Sequence, residues 1–503
     1  MHLARHIEYW SQMRPQAAAV TCEDQSLTWT ELNAKASAFA SELTARGAAP
    51  GDRIGCMMPN NLEWAVAFTA AIKAELLFVP LNAMFGPNEL QQIAKDSGCR
   101  FVVSTPSLAK KLGINHGNNA DDSAFLYDLG GKSPPTPLAE LLLKAGALSE
   151  REYDESDALA ICYTSGTTGQ PKGAVHTHQT VSVMITGLAA GYGMTADDTF
   201  LLVAPLAFTG GIICNLAVSL YLGAHIIIEQ SFDPPRTLEI LVRERVTAFG
   251  GAAIFWQRLA ELPGFAEADL SALRHGFTGG APVTRELIAQ FQNKGVGIRQ
   301  AYGCTECCGG ATIPTLEEAI RNPNSCGKAM LGLRLVVCDD EGNPCLPNTP
   351  GEIRLAGPQL MRGYWNNAEK TAEAFDGEWY LTGDIGLIND DGSVVVVDRK
   401  KSMIISGGVN VYPAEVEKVL SAKSFVGEAA VFGVPSQQWG EEVAAIVVSR
   451  SALDESSFVE TLKEELGRYK APKRVRFTTD PLPRTATGKI DRLKLPALFD
   501  KLG

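Results

Sequence analysis

The sequence predicts an α/β protein: a large N-terminal domain of mostly parallel sheets covered by helices, a β-rich subdomain, and a smaller α+β domain at the C-terminus. From residue 50 to about 305, short apolar segments alternate with segments of helical period, which is typical of parallel sheets covered by helices. From about residue 330 the segments become β-rich, and a smaller mixed region follows residue 400.

The individual elements follow from local patterns. Apolar residues at helical spacing predict a first helix within Leu3–Met13. The most apolar stretch, LEWAVAFTAAIKAELLFVPLN, contains three charged residues, which favours a buried helix followed by a strand over a membrane span. Further strands are predicted at RIGCMMP, RFVVST, FLLVAP, AHIIIEQ, TAFGGAA, IRQAYG, LRLVVCD, GEIRLAG and GSVVVVDRKK. Helices are predicted at PRTLEILVRERV, APVTRELIAQFQNK and YPAEVEKVLSA, the last with Pro413 near its start.

Composition excludes several classes of protein. A chain of 503 residues is too long for one hydrophobic core and is expected to form at least two domains. A net charge of −12 argues against nucleic acid as the main partner. The 11 cysteines lack the spacing of a disulfide framework, which indicates a reducing cytoplasm. The first residues do not show a basic segment followed by an apolar core, so no secretory signal is predicted.

The segment YTSGTTGQPKGAVHTH, from Tyr163 to His178, concentrates glycine and hydroxyl residues directly after the apolar strand ALAICYT. Open α/β sheets bind ligands at strand ends, and glycine-rich loops present backbone N–H groups to phosphates. The P-loop pattern does not match, because Lys172 follows Pro171 and precedes Gly173. The segment therefore predicts a phosphate-binding loop of another kind, with an ordinary flexible loop as the alternative.

Five more signatures follow in order: FTGGAPV, AYGCTEC, LTGDIG, DRKKSMIISGGVNVYPAEVE and PRTATGKIDR. Together with the loop they resemble the adenylate-forming superfamily of acyl-CoA synthetases, adenylation domains and beetle luciferases, over roughly residues 25–492. The resemblance implies a large ATP- and acyl-binding domain, residues 1–398, and a small mobile lid domain, residues 399–503, that carries the catalytic lysine.

The resemblance also implies an ATP site with Mg²⁺. Thr305 and Glu306 are implied catalytic residues. Glu306 matches the glutamate that holds magnesium, an ion that prefers hard oxygen ligands; Thr168 is the second expected ligand. Tyr302 is expected to lie on the adenine, and Asp384, assisted by Arg399, to bind the ribose hydroxyls. The full set of implied nucleotide-binding residues is Thr164, Ser165, Gly166, Thr167, Thr168, Gly169, Lys172, Gly280, Ala281, Pro282, Tyr302, Gly303, Asp384 and Arg399.

Four residues toward the C-terminus carry further implied roles. Lys489 matches the lysine that reaches the acyl carboxylate and the α-phosphate during adenylation. Asp398 matches the hinge about which the small domain turns. Gly407 and Gly408 match the pair that faces the pantetheine tunnel, where a side chain would obstruct coenzyme A.

The segment PLAFTGGIICN predicts the class of acid. Thr209 stands where amino-acid-activating relatives place an aspartate, and Phe208 stands where many acyl-CoA synthetases carry histidine. Because no Lys or Arg occurs between Pro205 and Asn215, a dicarboxylate such as malonate is disfavoured, and a hydrophobic fatty, aryl or alicyclic acid is favoured. The expected acyl-pocket residues are Phe208, Thr209, Ile212, Ile254, Phe255, Gly279, Cys304, Cys307 and Cys308.

The predicted activity is that of an AMP-forming carboxylic acid–CoA ligase, which forms an acyl-adenylate and pyrophosphate from ATP and then transfers the acyl group to coenzyme A. Loading of a carrier protein, luciferase-like oxidation and a non-catalytic nucleotide sensor are the alternatives. A zinc site at Cys304 and Cys307 is disfavoured because a second ligand pair is missing, and His176 and His178 are interpreted as structural. We expect a cytoplasmic protein without an integral membrane segment or nucleic-acid partner; a homodimer stays open.

Overall fold

The computed structural model describes residues 2–115, 123–144, 152–164, 171–279, 283–406, 409–449, 455–467, 470–484 and 490–502. Its strands are β1 Ala18–Cys22, β2 Gln25–Thr28, β3 Arg53–Met57, β4 Leu77–Pro80, β5 Phe101–Ser104, β6 Phe125–Asp128, β7 Thr136–Pro137, β8 Ala158–Thr164, β9 Lys172–Thr177, β10 Thr199–Leu202, β11 His225–Ile228, β12 Ala248–Gly251, β13 His275–Thr278, β14 Ile298–Gln300, β15 Thr312–Ile313, β16 Lys328–Ala329, β17 Arg334–Cys338, β18 Gly351–Ala356, β19 Gly363–Tyr364, β20 Phe375–Asp376, β21 Trp379–Ile388, β22 Val394–Arg399, β23 Ile404–Ser406, β24 Val409–Val411, β25 Val426–Ser436, β26 Gly440–Ser449 and β27 Arg474–Thr478.

The α-helices are α1 Leu3–Met13, α2 Trp29–Ala45, α3 Leu62–Lys73, α4 Pro87–Ser97, α5 Pro106–Ala109, α6 Leu138–Leu142, α7 His178–Tyr192, α8 Thr209–Gly211, α9 Val218–Leu222, α10 Pro234–Arg243, α11 Ala253–Ala260, α12 Arg285–Gln292, α13 Leu316–Arg321, α14 Ala368–Ala374, α15 Pro413–Ser421, α16 Glu455–Leu466 and α17 Leu495–Leu502. A π-helix covers Ile212–Ala217, and a short 3₁₀ turn covers Thr305–Cys307. Among the described residues, no helix combines the length and apolarity needed to cross a bilayer.

The chain divides into two compact units, of which the first comprises Met1–Leu335, Leu355–Leu381 and Gly392–Val394. One of its sheets has seven strands in the order β14-β13-β12-β10-β11-β1-β2, parallel except at β2. A second has eight strands in the order β19-β9-β8-β4-β3-β5-β6-β7, and a small third sheet pairs β15 with β16. In the eight-stranded sheet, β8, β4, β3 and β5 run parallel, and the outer strands pair antiparallel. The predicted architecture of mostly parallel sheets covered by helices is confirmed.

The two large sheets of this unit share one apolar core with the helices between them. Helix α3 is buried on all sides, as expected for a helix enclosed within a core. Even Lys73 at its end is only 3% exposed, and its ammonium group is neutralised by Glu8 at 3.1 Å. A second core fills the opposite face of the seven-stranded sheet, where Trp256 and Phe291 of α11 and α12 meet edge to face at 5.0 Å between centroids.

The second unit comprises Val336–Arg354, Thr382–Asp391 and Val395–Gly503. Its sheet has the order β24-β23-β26-β25, with β27 parallel to β26. Alternate residues of β25 and β26, such as Val431 and Val447, point into a core completed by α15 and α16. The β-rich segment that begins at β17 forms a five-stranded sheet in the order β17-β18-β21-β20, with β22 paired to β21. The predicted change from parallel α/β layers to a β-rich segment and then a small α+β unit is therefore also confirmed.

Candidate active site

The glycine-rich segment is held by an antiparallel hairpin that sequence patterns did not predict. Strand β8 runs into the segment and β9 runs out of it, with Thr164 opposite Lys172. The Thr164 hydroxyl donates to the Lys172 carbonyl at 3.4 Å. A Cβ at Gly173 would lie 2.5 Å from Cγ2 of Ile161, so only glycine fits there. The predicted residues Ser165, Gly166, Thr167, Thr168 and Gly169 lie outside the described residues.

Glu306 lies beside this hairpin and is held by Tyr364, a residue of the edge strand β19 that pairs with β9. The Tyr364 hydroxyl donates to Oε1 of Glu306 at 2.8 Å. The Lys172 ammonium lies 5.2 Å from the centroid of the same ring, a favourable cation–π distance. Burial and the neighbouring Glu306 carboxylate raise the pKa of Tyr364. The phenol therefore stays protonated and connects the lysine of the loop with the carboxylate.

The backbone around Glu306 is tightly constrained. Glu306 lies in the 3₁₀ turn Thr305–Cys307, and its carbonyl accepts the N–H of Met361 at 2.7 Å. A Cβ on Gly303 would overlap the carbonyl oxygen of Gly309, so this position of the motif also requires glycine. The preceding Tyr302 is only 8% exposed, and its N–H donates to the Thr312 hydroxyl at 3.2 Å.

The predicted acyl segment meets this turn through two hydroxyl groups. The Thr209 hydroxyl donates to the Thr305 hydroxyl at 3.4 Å. After the short α8, the chain continues as the π-helix, a form that is frequent at functional sites. Its Cys214 thiol donates to the Cys308 carbonyl at 3.4 Å. The structure thus brings the segment that begins at Phe208 against the AYGCTECC motif.

The remaining predicted acyl-pocket residues have different surroundings. Ile212 is fully buried, whereas Ile254 is 46% exposed. Phe255 stacks on Phe232, with 4.2 Å between ring centroids. The Cys308 thiol is buried and lies 3.1 Å from Nδ1 of His176. Gly279 is exposed, and Gly280, Ala281 and Pro282 are outside the described residues.

In the second unit, Asp384 and Arg399 form an ion pair. The Arg399 Nε lies 2.7 Å from Oδ1 of Asp384, and the side chains are 58% and 6% exposed. The neighbouring Asp398 accepts the N–H of Arg399 at 2.7 Å and the N–H of Ala414 at 2.8 Å. Asp398 therefore caps the N-terminus of α15 from a distant part of the chain, because Ala414 belongs to the first turn of that helix. Gly407, Gly408 and Lys489 lie outside the described residues.

Comparison with known families identifies the chain. Residues 7–365 match the AMP-binding enzyme family, and residues 415–489 match the AMP-binding enzyme C-terminal domain. The chain belongs to the AMP-binding enzyme family. The resemblance inferred from the motifs is confirmed.

Relatives of this AMP-binding enzyme match it over nearly its whole length. The long-chain-fatty-acid–CoA ligase FadD13 of Mycobacterium tuberculosis is 37% identical and covers 95% of this chain and 94% of its own. The feruloyl-CoA synthase of Amycolatopsis sp is 35% identical, with 95% of each chain covered. The structure of O-succinylbenzoate coenzyme A synthetase from Bacillus subtilis with ATP and magnesium is 28% identical, covers 98% of this chain and 99% of that one, and has a TM-score of 0.86.

These comparisons confirm the predicted class of activity, an AMP-forming acid–CoA ligase that uses ATP, Mg²⁺ and coenzyme A. The described residues fit the ion. Glu306 offers carboxylate oxygens, the ligand type that Mg²⁺ prefers, and the Tyr364 hydroxyl, which donates to Oε1, orients the group. The buried Asp384 carboxylate, paired with Arg399, is likewise a fixed acceptor suited to hydroxyl groups.

Sequence reasoning missed Tyr364. The local sequence around Tyr364 does not distinguish it from other tyrosines of a β-rich region, because its partner Glu306 is distant in the chain. The contact becomes apparent only from the pairing of β19 with β9. The interpretation of His176 as structural agrees with its surroundings: the ring is fully buried, and burial lowers its pKa to about 4. His178, also buried, stacks on His2 with 3.4 Å between ring centroids.

Proposed function

We propose that this AMP-binding enzyme activates a hydrophobic monocarboxylic acid, fatty, aryl or alicyclic, and transfers it to coenzyme A. The observation that carries the proposal is the contact of the Phe208–Thr209 segment with the Thr305–Glu306 turn through the two threonine hydroxyls. No charged side chain occurs between Pro205 and Asn215. A substrate with an ammonium group or a second carboxylate would therefore lose hydration beside this segment and find no oppositely charged side chain within it. Burying an unpaired charge is energetically costly.

In the first step, an oxygen of the acid attacks the α-phosphorus of ATP; the new O–P bond forms as the bond to pyrophosphate breaks. Lys489 binds the acid carboxylate and the α-phosphate and offsets the charge that develops between them. The loop from Thr164 to Lys172 holds the β- and γ-phosphates. Glu306 and Thr168 would hold magnesium, which would supply positive charge against the phosphates. In the second step, the thiol of coenzyme A attacks the acyl carbon, and AMP leaves.

The two steps are assigned to two positions of the small domain. We take residues 1–398 as the ATP- and acyl-binding domain and residues 399–503 as the lid, with Asp398 as its pivot. Lys489 acts while the adenylate forms, and the Gly407–Gly408 pair borders the pantetheine afterwards. A hinge rotation of this type is a common form of domain motion. The motifs support this assignment, and so do the matches to both family domains.

Tyr302 is assigned to the adenine, and Asp384 with Arg399 to the ribose hydroxyls. The low exposure of the Asp384 side chain supports its role, because a fixed buried acceptor loses little entropy on binding. We place the enzyme in the cytoplasm as a homodimer or monomer acting on free coenzyme A. Transfer to a carrier protein is the second candidate function. AMP release that does not require coenzyme A would distinguish it from the coenzyme A ligase reaction.

The proposal is tested with ATP–pyrophosphate exchange and coenzyme A-dependent AMP release, using medium-chain fatty acids, aryl acids, α-amino acids and malonate. Hydrophobic monocarboxylic acids should be turned over best. Thr209→Asp places a carboxylate in the segment, and Thr209→Asn matches it in size without the charge. The Asp variant should lose more activity toward hydrophobic acids than the Asn variant. Preferential turnover of an amino acid or malonate by the wild-type enzyme contradicts the proposal.

The lid assignment has its own test. Lys489→Ala should abolish most pyrophosphate exchange but still convert supplied acyl-adenylate and coenzyme A to thioester. Gly408→Leu should show the reverse, because a side chain would fill the tunnel without contacting ATP. Equal damage to both half-reactions in both variants would exclude the swinging-lid assignment for this chain.

A further inference from the structure

The turn that carries Glu306 is bracketed by a pair of thiols in a Cys-x-x-Cys arrangement. Cys304 precedes the turn and Cys307 ends it. Their Sγ atoms are 3.6 Å apart, with the Cys304 thiol donating to the Cys307 sulfur. The Cys304 N–H also donates to the Cys307 sulfur at 3.2 Å, and the Cys307 thiol donates to the Cys304 carbonyl at 3.3 Å. The two thiols therefore face each other across the turn.

We infer that Cys304 and Cys307 form an oxidisable dithiol, a covalent modification site for hydroperoxides whose oxidation switches off adenylation. The inference goes beyond the proposed ligase activity. Cys304 is partly exposed and Cys307 is fully buried. Cys304 is therefore the thiol that meets an oxidant from solution, and Cys307 is the resolving thiol behind it.

The other nearby thiols are directed elsewhere. The Cys308 thiol donates to the Gln359 carbonyl at 3.3 Å and lies against His176. The Cys214 thiol donates to the Cys308 carbonyl. Among the described residues, no group of three or more Cys, His, Asp or Glu side chains is arranged to hold a metal ion. These contacts select Cys307 as the partner of Cys304.

The chemistry balances with the hydroperoxide as the oxidant. The Cys304 sulfur attacks the peroxide; an S–O bond forms, the O–O bond breaks, and the thiol proton goes to the departing alkoxide, which leaves as an alcohol or water. The Cys307 sulfur then attacks the sulfenic sulfur; the S–S bond forms, the S–O bond breaks, and the released hydroxide takes the Cys307 proton as water. A dithiol reductant returns both thiols.

The bridge must strain the turn that holds Glu306. A disulfide needs an S–S distance of about 2.05 Å, so the two sulfurs must approach by roughly 1.5 Å from their present 3.6 Å. Between them lie only Thr305, bonded to Thr209, and Glu306, bonded to Tyr364. Displacement of a catalytic group by about 1 Å is enough to cost on the order of 100-fold in rate. We therefore expect the oxidised enzyme to lose at least about 10-fold in pyrophosphate exchange.

The test combines mass analysis with activity. The reduced enzyme is titrated with hydrogen peroxide, alkylated and digested with trypsin, and the bridge is sought in the peptide Gln300–Arg321. Wild-type enzyme should lose two hydrogen atoms, protect Cys304 and Cys307 from alkylation, lose exchange activity in parallel, and recover with dithiothreitol. Cys307→Ser should stop at a sulfenic acid on Cys304, trapped by dimedone, whereas Cys304→Ser should give no adduct in the turn. Each variant is compared with its own reduced form.

Cys345→Ser is the matched control, because Cys345 is a partly exposed thiol outside the turn, and it should leave the response to peroxide unchanged. A trivalent arsenical, which bridges closely spaced thiols, should bind reduced wild-type enzyme and block alkylation of both cysteines; this measurement needs no variant. A bridge that maps to Cys308 or Cys214, inactivation while both turn thiols remain alkylatable, or a bridge without loss of exchange overturns the inference. The mass measurements do not depend on the proposed substrate.

Discussion

The Tyr364→Phe substitution tests whether the hydrogen bond between Tyr364 and Glu306 organises the site. The substitution removes the hydroxyl that donates to Glu306 at 2.8 Å and keeps the ring that the Lys172 ammonium approaches at 5.2 Å. A hydrogen bond to a charged group contributes about 1.5–3 kcal/mol, and about 1.4 kcal/mol corresponds to a tenfold change in rate. If the bond orients Glu306 toward magnesium, the adenylation rate should fall by about 10- to 100-fold, most strongly at low magnesium.

The assay is ATP–pyrophosphate exchange measured across a magnesium titration, with thermal unfolding of each variant. Tyr192→Phe is the matched control, because the Tyr192 hydroxyl is buried and has no hydrogen-bond partner among the described residues. That variant should keep nearly the wild-type magnesium dependence. An unchanged magnesium dependence in Tyr364→Phe, with the fold intact, would refute the role assigned to the Tyr364–Glu306 bond.

Three further outcomes are expected. Glu306→Gln should lower the exchange rate on the order of 10²- to 10³-fold, as for loss of one preorganised electrostatic contact; unchanged activity at low magnesium contradicts its role. Asp384→Asn removes the charge paired with Arg399 at 2.7 Å and should raise the KM for ATP more than that for the acid; equal effects on both argue against a ribose contact. Burial opposes ionisation of Asp198, but the His275 ring 3.4 Å away and hydrogen bonds from the Thr247 hydroxyl and the Thr195 N–H outweigh it and lower its pKa. Asp198→Asn should therefore destabilise the protein by about 3 kcal/mol at neutral pH. In chemical denaturation this difference should persist above about pH 4 and disappear as the pH falls through the lowered folded-state pKa; a difference independent of pH contradicts this account.

The elements of the fold were largely predictable from the sequence, because each depends on neighbouring residues. The apolar segment from Leu77 to Pro80 predicts a buried strand, and the stretch before it predicts the enclosed helix α3. The glycine and hydroxyl content of the loop after Thr164, with the order of the later motifs, was enough to indicate an adenylate-forming enzyme. Such signals are local in sequence, since backbone preference and hydrophobic period act over a few residues.

The contacts inside the site were decided by tertiary structure. Strand β9 places Lys172 opposite Thr164, and β19 pairs with β9 and thereby places Tyr364 beside Glu306. The local sequence does not indicate these partners, because sheet register and strand order depend on how distant segments pack together. The same holds for the thiols of the turn: the sequence shows that Cys304 and Cys307 are near each other in the chain, but only the 3₁₀ turn between them turns both sulfurs to the same side.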